Sequence, residues 1–232
     1  MNVLAIDTCL GALSVAVGCS GSDGSWTVTE HYEALQGGHA ERLMPAIAAE
    51  MARSGLGFAD LQRIAVTLGP GTFTGVRTGI AAARALRLAT GLEVVGLTSL
   101  AVMAHAVFQA LGEKRAGRPV MIAVDARRER LYVQLFGESA LDPLTDAVEV
   151  TMAQAAALAG KHPVVLAGSG ARAVASAGVR DLLDVVRDEM EPHAADLAAL
   201  ASRLTPLCDI APIYLRPPDA KPQADKRLAR TT

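Results

Sequence analysis

The sequence predicts an α/β protein of two domains lying side by side, on three observations. Three short extended patterns crowd the first 32 residues. Extended and helical patterns then alternate. An extended run ending in aspartate, followed by a second extended run, occurs twice, at Asp7 and at Asp125. A chain of 232 residues fits one large domain or two small ones, with enough core to fold without staples.

Taken in order, Asn2–Asp7 and Ala12–Cys19 read as buried strands, and Trp26–Tyr32 alternates apolar with polar as a third strand does. Gly37-Gly38 breaks the pattern. A helix follows to Arg53, with Leu43, Met44, Ile47 and Met51 on one stripe, and Ser54-Gly55 ends it. Arg63–Leu68 is a strand, Gly69–Gly75 a glycine-rich turn, and Thr74–Thr90 a small-residue helix stopped by Gly91. Glu93–Gly96 is a strand and Ser99–Leu111 a helix. The polar stretch Gly112–Arg118 marks a domain boundary, giving domains at 1–111 and 119–215 and a basic, proline-containing tail at 216–232. Beyond the boundary, Val120–Asp125, Leu131–Phe136 and Val164–Ala167 read as strands, and Asp181–Glu189 and Ala194–Leu204 as helices. The return of the strand-Asp-turn-strand theme suggests an internal duplication.

Apolar residues make up 51% of the chain and aromatics 3%, which excludes a disordered protein and fits close-packed helices better than an aromatic-lined cavity. The formal net charge is -2. A chain so near neutrality is not a free-standing grip on a phosphate backbone, so any nucleic-acid contact is local or shared with a partner. Cys9, Cys19 and Cys208 are odd in number and scattered, as expected of reduced thiols. The N-terminus lacks a basic region before its short apolar run, and no run reaches membrane-spanning length. A cytoplasmic protein with no membrane contact is expected.

Few residues invite chemistry. Asp7 reads either as a turn cap or as a carboxylate that orients a magnesium-bound phosphate, with the amides of the turn after it holding oxygens. Gly69-Pro70-Gly71-Thr72-Phe73-Thr74-Gly75 joins a strand to a helix, a place where exposed amides favour an anion. It has neither P-loop nor dinucleotide spacing, and its glycines equally suit a tight turn. His39 and Glu41 near a helix start read as solvated or capping groups, as do His31, His105, His162 and His193. No histidines stand at metal-ligand spacing, and no metal is expected. No Gly-x-Ser-x-Gly elbow occurs. Asp125–Arg130 reads as a charged hairpin, and the tail carries Arg216, Lys221, Lys226, Arg227 and Arg230 against Asp219 and Asp225.

Several stretches together resemble one family: Val3–Thr8, His39–Pro45, Gly69–Arg84, Gly96–Leu100, Val124–Arg127 and Pro212–Arg216. The chain is similar to the TsaB (formerly YeaZ) family, the dimerisation subunit of bacterial threonylcarbamoyladenosine synthesis, most densely over its first 130 residues or so. The resemblance implies an actin-like ATPase (ribonuclease-H-like) architecture in two domains, the C-terminal one reduced. It implies a non-catalytic, activating subunit that heterodimerises with the catalytic subunit TsaD. A small ATPase, TsaE, joins them, and threonylcarbamoyl passes to the adenosine beside the anticodon of tRNA. TsaD carries two metal-binding histidines four residues apart, where this chain has Ser99 and Met103. Leu43, Met44, Ile47, Met51, Val76, Gly79, Ile80 and Ala83 are then the expected partner interface, where a charge at Ile47 or Gly79 weakens pairing without unfolding. The same faces would form a homodimer when the partner is absent. Asp7, Thr8, Gly69, Gly71, Thr72 and Gly75 are the candidate phosphate or nucleotide contacts, the turn-cap and tight-turn readings standing beside that one. No cofactor of the chain's own is expected, with ATP or ADP left to the interface of the complex. The alternative is a self-sufficient ATPase or phosphotransferase using Asp7 and the glycine-rich turn. A metalloprotease is disfavoured by the missing histidine pair.

Overall fold

The structure, a computed structural model, describes residues 1–21, 23–160, 162–178 and 182–216. Its first sheet contains β1 (Asn2–Asp7), β2 (Ala12–Ser20), β3 (Trp26–Ala34), β4 (Arg63–Thr67) and β5 (Glu93–Leu97), ordered β3-β2-β1-β4-β5. β1, β2 and β3 pair antiparallel, whereas β4 and β5 extend the sheet in parallel. The second sheet contains β6 (Val120–Asp125), β7 (Arg130–Phe136), β8 (Val148–Thr151), β9 (Val164–Ala167) and β10 (Leu183–Arg187), ordered β8-β7-β6-β9-β10 with the same mixture of directions. The duplication suggested by the two aspartate turns is thus real at the level of topology, and the doubled order is the actin-like (ribonuclease-H-like) architecture.

The helices follow the same plan. In the first half come α1 (His39–Ser54), α2 (Phe73–Thr90) and α3 (Ser99–Leu111). In the second come α4 (Met152–Ala159), α5 (Ala171–Ala177) and α6 (Ala194–Leu200). The second set is reduced, with 8 and 7 residues in α4 and α5 against 16 and 18 in α1 and α2. Gly55 and Gly91 end α1 and α2 with left-handed backbone. The Thr72 hydroxyl accepts from the Gly75 amide to start α2.

α1 and α2 cover one face of the first sheet, burying Leu43, Ile47, Val76, Ile80 and Leu86 against Leu4, Ile6, Val15 and Val66. The opposite face, lined by Val3, Ala5, Ala16 and Ala65, is covered by α6 from the far end of the chain. α3 makes the reverse crossing and packs Leu100, Met103, Ala104 and Val107 on Val120, Ile122 and Phe136 of the second sheet. The Arg63 guanidinium ties down the end of α6 through the carbonyls of Ala201 and Leu204, at 2.8 and 3.0 Å. Each half therefore lends a helix to the other, although the sequence grouped α6 with the second half alone.

Three differences from the sequence reading have physical causes. The helix expected over Asp181–Glu189 is instead the strand β10, with Asp181 itself outside the described residues. Leu183 and Val185 turn inward while Asp184 and Val186 turn out, and parallel pairing with β9 satisfies their backbone, so period two wins over an equally legible helical spacing. β8, α4 and α5 were not anticipated. The basic tail, apart from Arg216, lies outside the described residues. Among the described residues no helix is long and apolar enough to cross a membrane.

Candidate functional site

The β1–β2 turn and the β4–α2 loop meet. Asp7 and Thr8 are 0% and 1% exposed. The Thr67 hydroxyl donates to Asp7 Oδ1 at 2.5 Å, the Thr8 hydroxyl to the Gly75 carbonyl at 2.7 Å, and the Thr72 amide to the Cys9 carbonyl at 2.7 Å. The loop's glycines serve this contact. A Cβ on Gly71 would lie 2.2 Å from the Cys9 carbonyl oxygen, and one on Gly75 would lie 2.0 Å from that of Thr8. Gly69 takes φ +98°. The six candidate phosphate contacts are thus brought together, but the Thr8 hydroxyl, the Thr72 and Gly75 amides and the Gly69 carbonyl are engaged within the chain.

The second half repeats the device. Gly168, also at φ +98°, and Gly170 pack on Ala123, and Ser169 Oγ accepts from the Asp125 amide at 3.0 Å. There the turn is open: Asp125, Arg127 and Glu129 are exposed, and Arg127, Arg128 and Glu129 all have positive φ.

Asp7 Oδ2 is buried without a hydrogen-bond partner. Burial pushes the Asp7 carboxyl up to about 7 against the opposing hydrogen bonds of Thr67 and Cys9. Around the N-terminus of α6, burial also raises Asp196 to about 6 and raises Glu191. His193 Nδ1 lies 3.0 Å from Glu30 Oε2, the bond that raises the imidazole, and its ring stacks on Tyr32 with centroids 4.6 Å apart. Glu30 also accepts from the buried Ser14 hydroxyl at 2.6 Å and from the Ala195 amide at 3.2 Å. Although burial opposes it, these bonds with His193 and Ser14 hold Glu30 below its usual range.

Asp7, Asp196, Glu191 and His193 all have folded values above their unfolded ones. Each contributes stability that is present at low pH and lost as pH rises through the folded value. For Asp7 the loss runs from 3.8 to about 7 and amounts to roughly 4 kcal/mol at most. Glu30 acts oppositely, below its unfolded value of 4.5. Denaturant midpoints should therefore be highest near pH ~4 and fall towards pH ~8. Asp7→Asn should flatten that fall, and an unchanged slope would mean that Asp7 does not titrate within it.

The other sequence candidates are placed as follows. Leu43, Ile47, Met51, Val76, Gly79, Ile80 and Ala83 are buried in the chain's own core, whereas Met44 is 50% exposed. A Cβ at Gly79 would lie 2.7 Å from the Thr8 hydroxyl oxygen. A charge at Ile47 or Gly79 therefore strikes the fold itself, contrary to the expectation above, because the apolar stripe faces the sheet. The outward faces carry Ala40, Met44, Pro45, Ala48, Ala49 and Ala52 on α1, and Ala81, Ala85 and Leu88 on α2. Leu88 is 89% exposed. His39 is buried rather than solvated, and His193 is ion-paired. The Ser99 hydroxyl donates to the Pro70 carbonyl at 2.6 Å, and Met103 lies in the core. Among the described residues no group of three or more His, Cys, Asp or Glu side chains can hold a metal ion, and the three cysteines are free. The Glu30–His193–Tyr32 assembly is not legible in the sequence because His193 lies 163 residues from Glu30.

Known proteins resemble this chain. Residues 33–199 match the family model described as TsaD: tRNA N6-adenosine threonylcarbamoyltransferase. The Escherichia coli tRNA threonylcarbamoyladenosine biosynthesis protein TsaB is 36% identical over 132 residues, which span 57% of this chain and 53% of that protein. An uncharacterized Mycobacterium tuberculosis protein is 33% identical over 228 residues, 96% of this chain and 95% of that one. The solved structure of YeaZ from Pseudomonas aeruginosa superposes with a TM-score of 0.77 at 26% identity, covering 92% of this chain and 99% of that one. The chain belongs to the tRNA N6-adenosine threonylcarbamoyltransferase (TsaD) family, in its TsaB (YeaZ) branch.

Proposed function

We propose that this chain is a non-catalytic, activating subunit for threonylcarbamoyl transfer to tRNA adenosine, working as a heterodimer with a TsaD-like catalytic chain. The observation that carries this reading is the outward face of α1 and α2. Met44, Ala48 and Ala52 fall on one ridge of α1 at helical spacing, and Ala81, Ala85 and Leu88 line the neighbouring helix. Small side chains let a second pair of helices approach closely, and a leucine left 89% exposed marks a surface that gains by being covered. A partner that met this face with two helices of its own would form a four-helix contact. A TsaE-like ATPase completes the assembly, and the same face supports a homodimer when the partner is missing.

The packed Asp7 cluster favours a structural joint over a nucleotide site. A carboxyl with 0% exposure has no open route to magnesium or phosphate. The reading assigns this chain no cofactor and leaves ATP or ADP to the interface of the complex. Light scattering on this chain mixed with the TsaD-like protein of the same organism should give a 1:1 species. ATP turnover by the purified chain alone, abolished by Asp7→Ala, would instead establish the self-sufficient ATPase.

A further inference from the structure

The chain has only four Phe, three Tyr and one Trp, yet two of these rings sit exposed side by side at the start of α2. Phe73 is 52% and Tyr214 45% exposed, and the rings stack with centroids 5.7 Å apart at 24°. The Arg77 guanidinium lies 3.6 Å from the Phe73 ring centre, and its Nε donates to the Tyr214 hydroxyl at 2.6 Å. The backbone holds this corner in place: Phe73 follows the Thr72 cap, and the Ile213 amide donates to the Leu68 carbonyl at 2.7 Å. The rings are therefore positioned before any ligand arrives.

Positive charge extends from the corner. α2 holds Arg77, Arg84 and Arg87 and no acidic residue. Arg84 meets Asp209 only at 3.4 Å, with both side chains more than half exposed, a pairing of little strength. Arg87 donates to the carbonyls of Leu207 and Cys208, which anchor its side chain without cancelling its charge. Phe73, Arg77 and Arg84 share one ridge of the helix, on the flank facing residues 207–214. Three residues past Tyr214 begins the segment that adds Lys221, Lys226, Arg227 and Arg230 against Asp219 and Asp225. That segment lies outside the described residues.

We propose that Phe73, Arg77 and Tyr214, with Arg84 and Arg87, form a docking surface for an unpaired stretch of RNA. Bases stack on exposed aromatic and guanidinium faces, and arginines in file meet the phosphates. An acidic peptide would use the arginines but would leave the ring faces unexplained, and the apolar helix face assigned to the protein partner is centred on Met44, Ala48, Ala81 and Ala85. Because the whole chain carries a net charge of -2, the contact is local and acts within a complex. The inference rests on the proposed role in tRNA modification and adds to it which surface of this subunit touches the tRNA.

The test is fluorescence anisotropy of a labelled, unmodified tRNA transcript with the complex of this chain and its TsaD-like partner, titrated at several salt concentrations. Tyr214→Phe should bind within twofold of wild type. Tyr214→Ala and Phe73→Ala should each weaken binding about tenfold. Replacing Arg84 and Arg87 together by Gln should lower the slope of log affinity against log salt by about one to two. Partner affinity should be unchanged in all of them. Wild-type RNA affinity in both aromatic variants overturns the proposal. So does a loss of partner affinity, which would make the corner a protein contact. A wild-type complex that modifies tRNA while these variants bind normally refutes this surface alone; one that neither binds nor modifies tRNA refutes the subunit's role as well.

Discussion

Ala48→Glu combined with Ala85→Glu should weaken the heterodimer at least a hundredfold, about 3 kcal/mol, without changing the monomer's stability by more than ~0.5 kcal/mol. Both alanines are exposed on the outward ridges of α1 and α2, and glutamate is a good helix former, so the fold has no reason to object. The partner's helices would have to desolvate two carboxylates with nothing to pair them. Ile47→Asp on the same helix should behave differently. Ile47 is 1% exposed within the core, and an unpaired charge there should cost at least ~4 kcal/mol and unfold the chain. Isothermal titration with the partner, alongside circular dichroism melts, separates the two effects. Wild-type affinity in the double glutamate variant would move the interface elsewhere.

Gly75→Ala carries the second large effect. Its new methyl would sit 2.0 Å from the Thr8 carbonyl oxygen, with the Thr72 hydroxyl 2.6 Å away. Neither neighbour is the free end of a flexible chain, so the β4–α2 loop must pull away from the β1–β2 turn. That should cost about 3–5 kcal/mol and lower the melting temperature by roughly 10 °C. Gly91→Ala, with φ +73° and open space around it, should cost only about 1 kcal/mol. Equal effects at the two positions would mean that the close approach of loop and turn is not what Gly75 provides.

The first half of the fold was legible because its signals were local and strong. Apolar runs of five to nine residues, glycine stops at Gly55 and Gly91, and a helix rich in alanine over 74–90 all point one way. The second half offered shorter runs. The capping box between Thr151 and Gln154 was a readable start for α4, with each side chain serving the other's backbone amide. β10 was misread because Leu183, Val185 and Val186 fit either period, and pairing with β9 decides between them. In the candidate site, sequence grouped Asp7 with Gly69–Gly75 correctly as neighbours. It did not reveal that the glycines admit the chain's own carbonyls, since only the distance between two loops separates a phosphate cradle from a packed joint. Helical spacing found the stripe Leu43, Ile47 and Met51, but a stripe does not say whether it meets its own sheet or a partner. The outward alanines, which are less hydrophobic and easily passed over, are the ones left uncovered.

The most direct test of the central claim is threonylcarbamoyl transfer to unmodified tRNA, reconstituted from purified components with this chain present or omitted. The account predicts no transfer by this chain alone, little by the TsaD-like protein with the TsaE-like ATPase, and full transfer when this chain is added, with Asp7→Asn as active as wild type. Transfer or ATP hydrolysis by this chain alone that Asp7→Asn abolishes, or a full rate without the chain, would contradict it.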